Sequence, residues 1–382
     1  MNGKETIVLT APMRIIVPVI KVVGDLCNMR CSYCFYHLRD QTVGKVMSSP
    51  LLEKFVREYL EIFPGEICLN WHGGEPLLAG IRFFEEIVEF EKKYNCEKRL
   101  IRNTVQTNGT LITEKWASFF RRYEFGVGVS VDGAERTHSR FRKMVGGKGS
   151  FLRTLHGIEL LRSTGIEPAI IQTVTRSSTG VATARENFAF FFEELGIKQL
   201  GINFFHDVTR TNDDVVGESV ASDDIVRLLK TYFEGWLARN DSHIRIREID
   251  HLIGGVMGKR ATTCNWSGSC TGFFCLDADG TVYPSCDRMS DRNDLVIGNL
   301  SKSPLREILN SRKRVDYAQK VNTVPSACHE CKWLLACYNG CALHREESPV
   351  GRYLFCDARK ALFEYVERRL TELTVPSQSI VT

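Results

Sequence analysis

Apolar and polar positions along the first two thirds of the chain switch between a strand period and a helix period. The switches mark six strand–helix repeats. Residues 15–24 are dense in Ile and Val and predict a buried strand. Leu51, Leu52, Phe55, Val56, Tyr59, Leu60 and Phe63 then recur at helical spacing, started by Pro50 and stopped by Pro64 and Gly65. Further strands are expected over 66–72, 99–106, 125–131, 167–175 and 199–205. Helices are expected near 81–94, 112–123, 151–163, 185–195 and 224–239. Such alternation implies right-handed crossovers and a parallel sheet with helices outside. Six units are too few for a full eight-fold barrel, so the expected α/β fold is an open, partial (β/α)6 barrel. The polar motifs at Cys27, Gly73, Asn108 and Asp132 follow strand ends directly, where barrel enzymes place their active sites.

Beyond this region the pattern changes. From Cys264 onward cysteine is dense, glycine rises and the alternation stops. Gly254, Gly255 and Gly258 suggest a linker loop. The expected organisation is a barrel over 14–240, a linker over 241–263, a cysteine-rich domain over 264–365, and a helix end and tail over 366–382. Residues 1–13 read as a disordered or strand-like lead-in, and 377–382 as a frayed end.

The first strand feeds into Cys27-Asn28-Met29-Arg30-Cys31-Ser32-Tyr33-Cys34, three thiols at spacing C-x3-C-x2-C. A structural zinc site closes with four protein ligands, and thiolate clusters also hold iron and sulfide. Three thiolates on a four-iron cluster leave one iron open to a substrate or cofactor. The alternative is a zinc knuckle that borrows a distant fourth ligand. The C-terminal cysteines are Cys264, Cys270, Cys275, Cys286, Cys328, Cys331, Cys337, Cys341 and Cys356. Four-cysteine zinc ribbons are again the alternative to iron–sulfur sites.

Composition narrows the classes. The net charge of +4 over 382 residues, with no run of five basic residues, is no nucleic-acid footprint. The apolar stretch 15–23 is broken by Pro18 and Lys21 and is too short to span a bilayer. No export signal is visible. Fourteen cysteines in a chain of this size favour metal binding in a reducing compartment, the cytoplasm, over a disulfide scaffold.

The C-x3-C-x2-C spacing, with aromatic Tyr33 before the third thiol, resembles the radical S-adenosylmethionine (SAM) signature. Gly73-Gly74-Glu75-Pro76, 39 residues after Cys34, resembles the GGEP motif of the same enzymes. The C-terminal cysteines resemble the SPASM domain of peptide- and protein-maturing radical SAM enzymes. The resemblance covers residues 15–365. The stretches Trp71 to Pro76, Gln106 to Thr110 and Ser130 to Gly133 look like the anaerobic sulfatase-maturating enzymes and the maturases that modify ribosomally made peptides.

The resemblance implies SAM and three [4Fe-4S] clusters as cofactors. Cys27, Cys31 and Cys34 would hold the cluster that binds SAM. Tyr33, Gly73, Gly74, Glu75, Pro76, Gln106, Asn108, Ser130, Asp132 and Arg142 would line the SAM site. Cys264, Cys270, Cys286 and Cys341 would hold a first auxiliary cluster, and Cys328, Cys331, Cys337 and Cys356 a second. Read from the residues alone, Asp132-Gly133 is better taken as a turn, and Arg142 as a solvated charge. The segment from Gly280 to Cys286 carries one residue more than the family spacing, and Cys275 is an alternative ligand to Cys286. Asp287 matches the position of a catalytic proton acceptor in the sulfatase-maturating relatives.

The implied reaction is reductive SAM cleavage to a 5′-deoxyadenosyl radical, hydrogen abstraction, and an oxidation or crosslink (thioether, carbon–carbon or cyclophane) in a ribosomal peptide. Formylglycine formation in a sulfatase is one alternative, and oxidation or rearrangement of a small metabolite another. The expected partners are a precursor peptide or protein and an electron donor such as flavodoxin or ferredoxin, with no nucleic acid and no membrane. Only 26 residues precede Cys27, so a peptide substrate is expected to be held by the barrel mouth and the SPASM domain, or by a partner protein.

Overall fold

The computed structural model describes residues 16–38, 45–206, 215–346, 348 and 351–374. The lead-in 1–13 and the tail 377–382 lie outside the described residues. Six strands, β1 (Val17–Lys21), β2 (Ile67–His72), β3 (Ile101–Thr107), β4 (Gly126–Ser130), β5 (Ala169–Val174) and β6 (Gln199–Phe204), lie side by side in chain order, each parallel to the next. Between and after them run α1 (Ser49–Ile62), α2 (Gly80–Tyr94), α3 (Glu114–Arg122), α4 (Glu135–Phe141), α5 (Phe151–Ser163), α6 (Val181–Ala189) and α7 (Ser222–Arg239). This is the expected partial barrel. The short α4 has no counterpart in the sequence reading, because its seven residues, mostly polar, carry no apolar period. The helix expected near 185–195 is α6 continued by a π turn, Phe190–Glu194.

The sheet does not stop at the six strands. β7 (Arg245–Ile246) extends it beyond β6, and α8 (Arg247–Val256) follows. On the other edge β8 (Phe273–Leu276) pairs in parallel with β1, and β9 (Thr281–Tyr283) and β10 (Gly298–Asn299) continue antiparallel. The C-terminal region thus shares one sheet of ten strands with the barrel. It adds α9 (Cys264–Ser267), α10 (Leu305–Leu309), α11 (Arg312–Asn322), α12 (Ser326–His329), α13 (Leu334–Cys337) and the long α14 (Cys356–Thr374).

The stretch 241–263, expected as a linker, therefore holds a strand and a helix, with Ile246, Glu248, Ile249 and Leu252 buried. Gly254 and Gly255 lie inside α8. A Cβ on Gly255 would come within 2.4 Å of the Phe363 ring, so that glycine permits close packing of α14 on α8 rather than loop freedom.

The strand register separates two faces. Ile20, Leu69, Trp71, Val105, Val129, Ile170, Leu200 and Ile202 point under the helices and are buried. The opposite face holds Asn70, Thr104, Gln106, Gly128, Ser130, Ile171, Thr173, Gly201 and Asn203 in register across five strands. A full barrel packs its interior with bulky branched residues. Here most of the inner face is small or polar, and most of it stays half-buried or exposed.

Candidate active site at the barrel mouth

The thiol loop leaves β1 and is pinned from two sides. Gly74 N donates to Gly24 O at 2.9 Å and Glu75 N to Leu26 O at 2.8 Å. A Cβ on Gly74 would lie 2.0 Å from Leu26 O, and Gly73 sits at φ +111° with Gly24 O 2.9 Å from its would-be Cβ. The glycine pair is thus required because the chain's own thiol loop passes against it. On the far side Arg30 N donates to Lys143 O at 2.7 Å and Ser32 N to Phe141 O at 3.0 Å.

Glu75 is fully buried. Its carboxylate accepts from Thr107 Oγ1 at 2.7 Å, Asn108 N at 2.7 Å and Leu77 N at 3.1 Å. Burial raises its pKa, and these bonds only partly offset the rise. Three donors in the fold already engage the carboxylate, so Glu75 ties the ends of β2 and β3 together. Pro76 starts the turn that follows. Asn108 Nδ2 donates to Asn28 Oδ1 at 2.8 Å and lies 3.8 Å from Cys27 Sγ.

Tyr33, Asp132 and Arg142 form one buried group. Tyr33 Oη donates to Asp132 Oδ2, Arg142 Nη1 donates to Tyr33 Oη at 2.7 Å, and Arg142 stands 3.8 Å from Asp132 Oδ1. Thr173 N also donates to Asp132 Oδ1 at 3.1 Å. Arg142 is therefore not a solvated charge, and the Asp132 carboxylate is engaged inside the protein. Burial opposes the Arg142 charge, but Tyr33, Cys31 and Asp132 hold its pKa well above the usual value. Gln106 Nε2 donates to Ser130 Oγ at 3.0 Å on the inner face.

Burial, then Glu75's charge, pushes the Cys27 thiol up to about 12. Cys34 is raised by burial and by the charges of Cys31 and Cys27, which shows how closely the three are grouped. The C-terminal thiols fall into two groups in the same way. Burial and the charges of Cys264, Asp287, Cys341 and Cys270 raise Cys286 well above the ordinary value. Burial, Cys337 and Cys331 raise Cys328, while Cys337 acts on Cys356. Cys275 lies on β8, opposite Val19, where its charge bears on Lys21 and Tyr36. The charges of Cys264, Cys341 and Cys270 act on Cys286.

The residues fit iron–sulfur clusters and SAM, since the thiols stand in groups whose charges act on one another. Beside the mouth, Arg142 Nε and Asn187 Nδ2 are buried donors without a partner among the described residues. Asn187 was not singled out from the sequence, since nothing in its α6 context marks it.

Sequence reasoning also missed the surroundings of Asp287. Tyr36 Oη donates to Asp287 Oδ2, and His72 Nδ1 lies 3.1 Å from the same oxygen. Burial alone would raise the Asp287 pKa. His72, Tyr36 and the charge of Lys21 outweigh burial and hold it well below the usual carboxylate range. Lys21 is fully buried and pairs with Asp277 and Asp25, both at 2.7 Å. Only the positions of these residues, beside Cys34, before Gly73 and at the end of β1, could have signalled them.

Six parallel strands with a three-thiol loop at their C-terminal ends, continued into a region with two four-thiol groups, define a cluster-bearing barrel enzyme. Comparison with known proteins agrees. Residues 22–189 match the model of the radical SAM superfamily, and 264–332 that of the SPASM iron–sulfur cluster-binding domain. The chain is 32% identical over 363 residues to the cysteine-type anaerobic sulfatase-maturating enzyme of Clostridium perfringens (strain 13 / Type A), covering 92% of this chain and 96% of that one. It is 31% identical to the serine-type enzyme of Bacteroides thetaiotaomicron, covering 91% and 88%. The solved structure of native anSMEcpe with bound AdoMet superposes with a TM-score of 0.84 at 30% identity, covering 94% and 98%, and the same enzyme is solved with AdoMet and the Cp18Cys peptide. The chain belongs to the radical SAM enzymes with a SPASM domain, in the family of the anaerobic sulfatase-maturating enzymes. Members of this class use SAM with a [4Fe-4S] cluster, and the SPASM domain binds auxiliary clusters. No helix among the described residues is long and apolar enough to cross a membrane.

Proposed function

We propose that this protein is a maturase of the formylglycine-forming kind, oxidising a cysteine or serine side chain in a sulfatase polypeptide. Relatives of both the cysteine and the serine type, matched over nine tenths of the chain, support this over a crosslink in a ribosomal peptide. Cys27, Cys31 and Cys34 would hold the cluster that binds SAM, which would supply the radical chemistry at the target carbon.

The chain's own residues do the rest. Arg142, with its free Nε, and the Gln106–Ser130 pair face the SAM side of the mouth. A side-chain oxidation must then shed a proton and an electron at one place. The single observation that carries the reading is the placement of Asp287. It is directly bonded to Cys286 of the first auxiliary group, and Tyr36 and His72 fix one carboxylate oxygen. Asp287 would take the proton, and Cys264, Cys270, Cys286, Cys341 and Cys328, Cys331, Cys337, Cys356 would hold two auxiliary clusters, which would accept the electron. A flavodoxin or ferredoxin in the cytoplasm is the matching reductant.

The test is anaerobic incubation of the reconstituted protein with SAM, dithionite and a sulfatase-derived peptide bearing the target cysteine or serine. An aldehyde trapped by a hydrazine reagent at the target residue is expected. Methionine and 5′-deoxyadenosine released with no aldehyde, and a crosslink found instead, would return the peptide-crosslinking reading.

A further inference from the structure

At the end of the barrel opposite the thiol loop, a cleft of about 580 Å³ opens where β5, β6 and β7 begin. Ile171 and Gly201 lie on its floor. Four cations, Arg245, Arg247, Lys259 and Arg260, stand on its walls, against one lining carboxylate, Asp250. Arg245 Nε meets Asp250 at 2.9 Å, and Arg247 Nε donates to the buried Glu248 at 2.7 Å. Arg260 Nη2 donates to a carbonyl, Ser267 O at 3.0 Å, and a hydroxyl, Ser269 Oγ at 3.4 Å, and its guanidinium lies over the Tyr338 ring at 4.6 Å, with no carboxylate partner among the described residues. Lys259 is exposed; its backbone N–H donates to Gly254 O at 2.8 Å, and its side chain has no ion pair among the described residues. Four cations against two carboxylates leave two positive charges in a concave site, which draws in negative charge.

Cleft and mouth are the two ends of the same strands. β5 starts in the cleft at Ala169, and near its far end Thr173 N donates to Asp132 at the mouth. Six residues of strand at about 3.3 Å each span roughly 20 Å. An extended peptide covers that distance in about six residues. Between the two ends the inner face offers Ser130, Ile171 and Thr173 along β4 and β5, while Arg247 covers Gly201 and donates to Asn203 Oδ1 at 3.2 Å on the β6 side and Gln106 covers Gly128.

We propose that this cleft binds acidic side chains of the polypeptide substrate, about six residues from the residue modified at the mouth. This rests on the maturase reading and adds to it a charge and a spacing.

The probes are acetylated, amidated peptides of Ala and Ser with one Cys. A Glu-Glu pair is placed about three, six or nine residues from the Cys on either side, with Gln-Gln and Lys-Lys versions of each. Binding to the cluster-reconstituted, SAM-loaded protein is measured by calorimetry. At the spacing of about six, Glu-Glu should bind roughly tenfold more tightly than Gln-Gln, and this advantage should shrink at the other spacings. In Lys259→Glu, an exposed change that disturbs no internal bond, the order should shift toward Lys-Lys. Equal binding of Glu-Glu and Gln-Gln, or a preference that Lys259→Glu does not alter, overturns the inference. If peptides are bound and oxidised regardless of charge, the cleft has no such role and the maturase reading stands. If no peptide of any charge binds, both fall.

Discussion

The thiol loop after β1 and the thiol groups of the C-terminal region are held by different means. In the loop the work is done by main chain. Arg30, Ser32, Cys34 and Glu75 each donate a backbone N–H to a backbone carbonyl of the loop or its neighbours, and Met29 N lies 3.4 Å from Cys27 Sγ. In the C-terminal region two buried arginines serve as the frame. Arg345 donates to the carbonyls of Asn339, Val321 and Gly340. Arg359 donates to the carbonyls of Trp266 and Asn265 and to Cys337 Sγ at 3.2 Å, with its guanidinium over the Trp266 and Tyr353 rings. A site compact in sequence can be shaped by its own backbone. A site gathered from residues 264 to 356 needs long side chains to satisfy carbonyls left without helix or sheet partners.

The largest break is expected from emptying the loop. Cys27→Ala, Cys31→Ala and Cys34→Ala together should remove about four of roughly twelve irons and abolish SAM cleavage, leaving the C-terminal groups loaded. Iron analysis and 5′-deoxyadenosine assay check this. Loss of all the iron would show that the two regions load as one unit.

The same contrast explains what was legible in the chain. The six strands and the thiol loop were readable because period and spacing are local. The triad of Tyr33, Asp132 and Arg142 was foreseen only as separate pocket polars, since their contacts span up to 109 residues. Nothing local distinguishes buried Arg359 or Arg345 from a solvated arginine. The pairing of β8 with β1 was equally hidden, because Phe273 to Leu276 is too short to announce a parallel strand 256 residues from its partner. Asp287 was found by position, but not Tyr36 and His72, which fix it.

Breaking the frame of the C-terminal region comes next. Arg359→Ala leaves the Trp266 and Asn265 carbonyls unpaired and empties the space between two aromatic rings. The cost should be about 3–5 kcal/mol, in the range for truncating one partner of a buried charged network. Chemical denaturation should show the loss, and iron bound at the Cys337 group should fall while SAM cleavage at the loop persists. Retention of full iron and stability would mean that the arginine is an incidental neighbour of the thiol.

A smaller effect is expected from a side chain that ties the strands beneath the loop, Glu75. Glu75→Gln turns an acceptor of three donors into a group that must present its own N–H to one of them. A loss of about 1–3 kcal/mol is expected. SAM affinity should weaken with it, because Asn108, whose side chain lies 3.8 Å from Cys27 Sγ, loses the anchor of its N–H. A variant that binds SAM less well with unchanged stability would assign Glu75 to the ligand rather than to the fold.

The smallest effect sharpens the comparison most. Asn108 accepts from Thr110 N at 2.9 Å through Oδ1, and donates through Nδ2 to Asn28 Oδ1 at 2.8 Å. Asn108→Asp keeps the accepted bond and removes the donated one, placing two oxygens face to face beside Cys27. If main chain holds the loop, the change should cost only about 0.5–1.5 kcal/mol, the net worth of one neutral hydrogen bond. Asn28 keeps its own bond to Thr110 Oγ1 at 2.9 Å, which limits the damage. The cluster should still load, and thermal unfolding of the iron-loaded protein should shift by only a few degrees. A cost equal to that of Arg359→Ala would mean that side chains frame both regions alike, and the distinction between a backbone-shaped and a side-chain-shaped site would be lost.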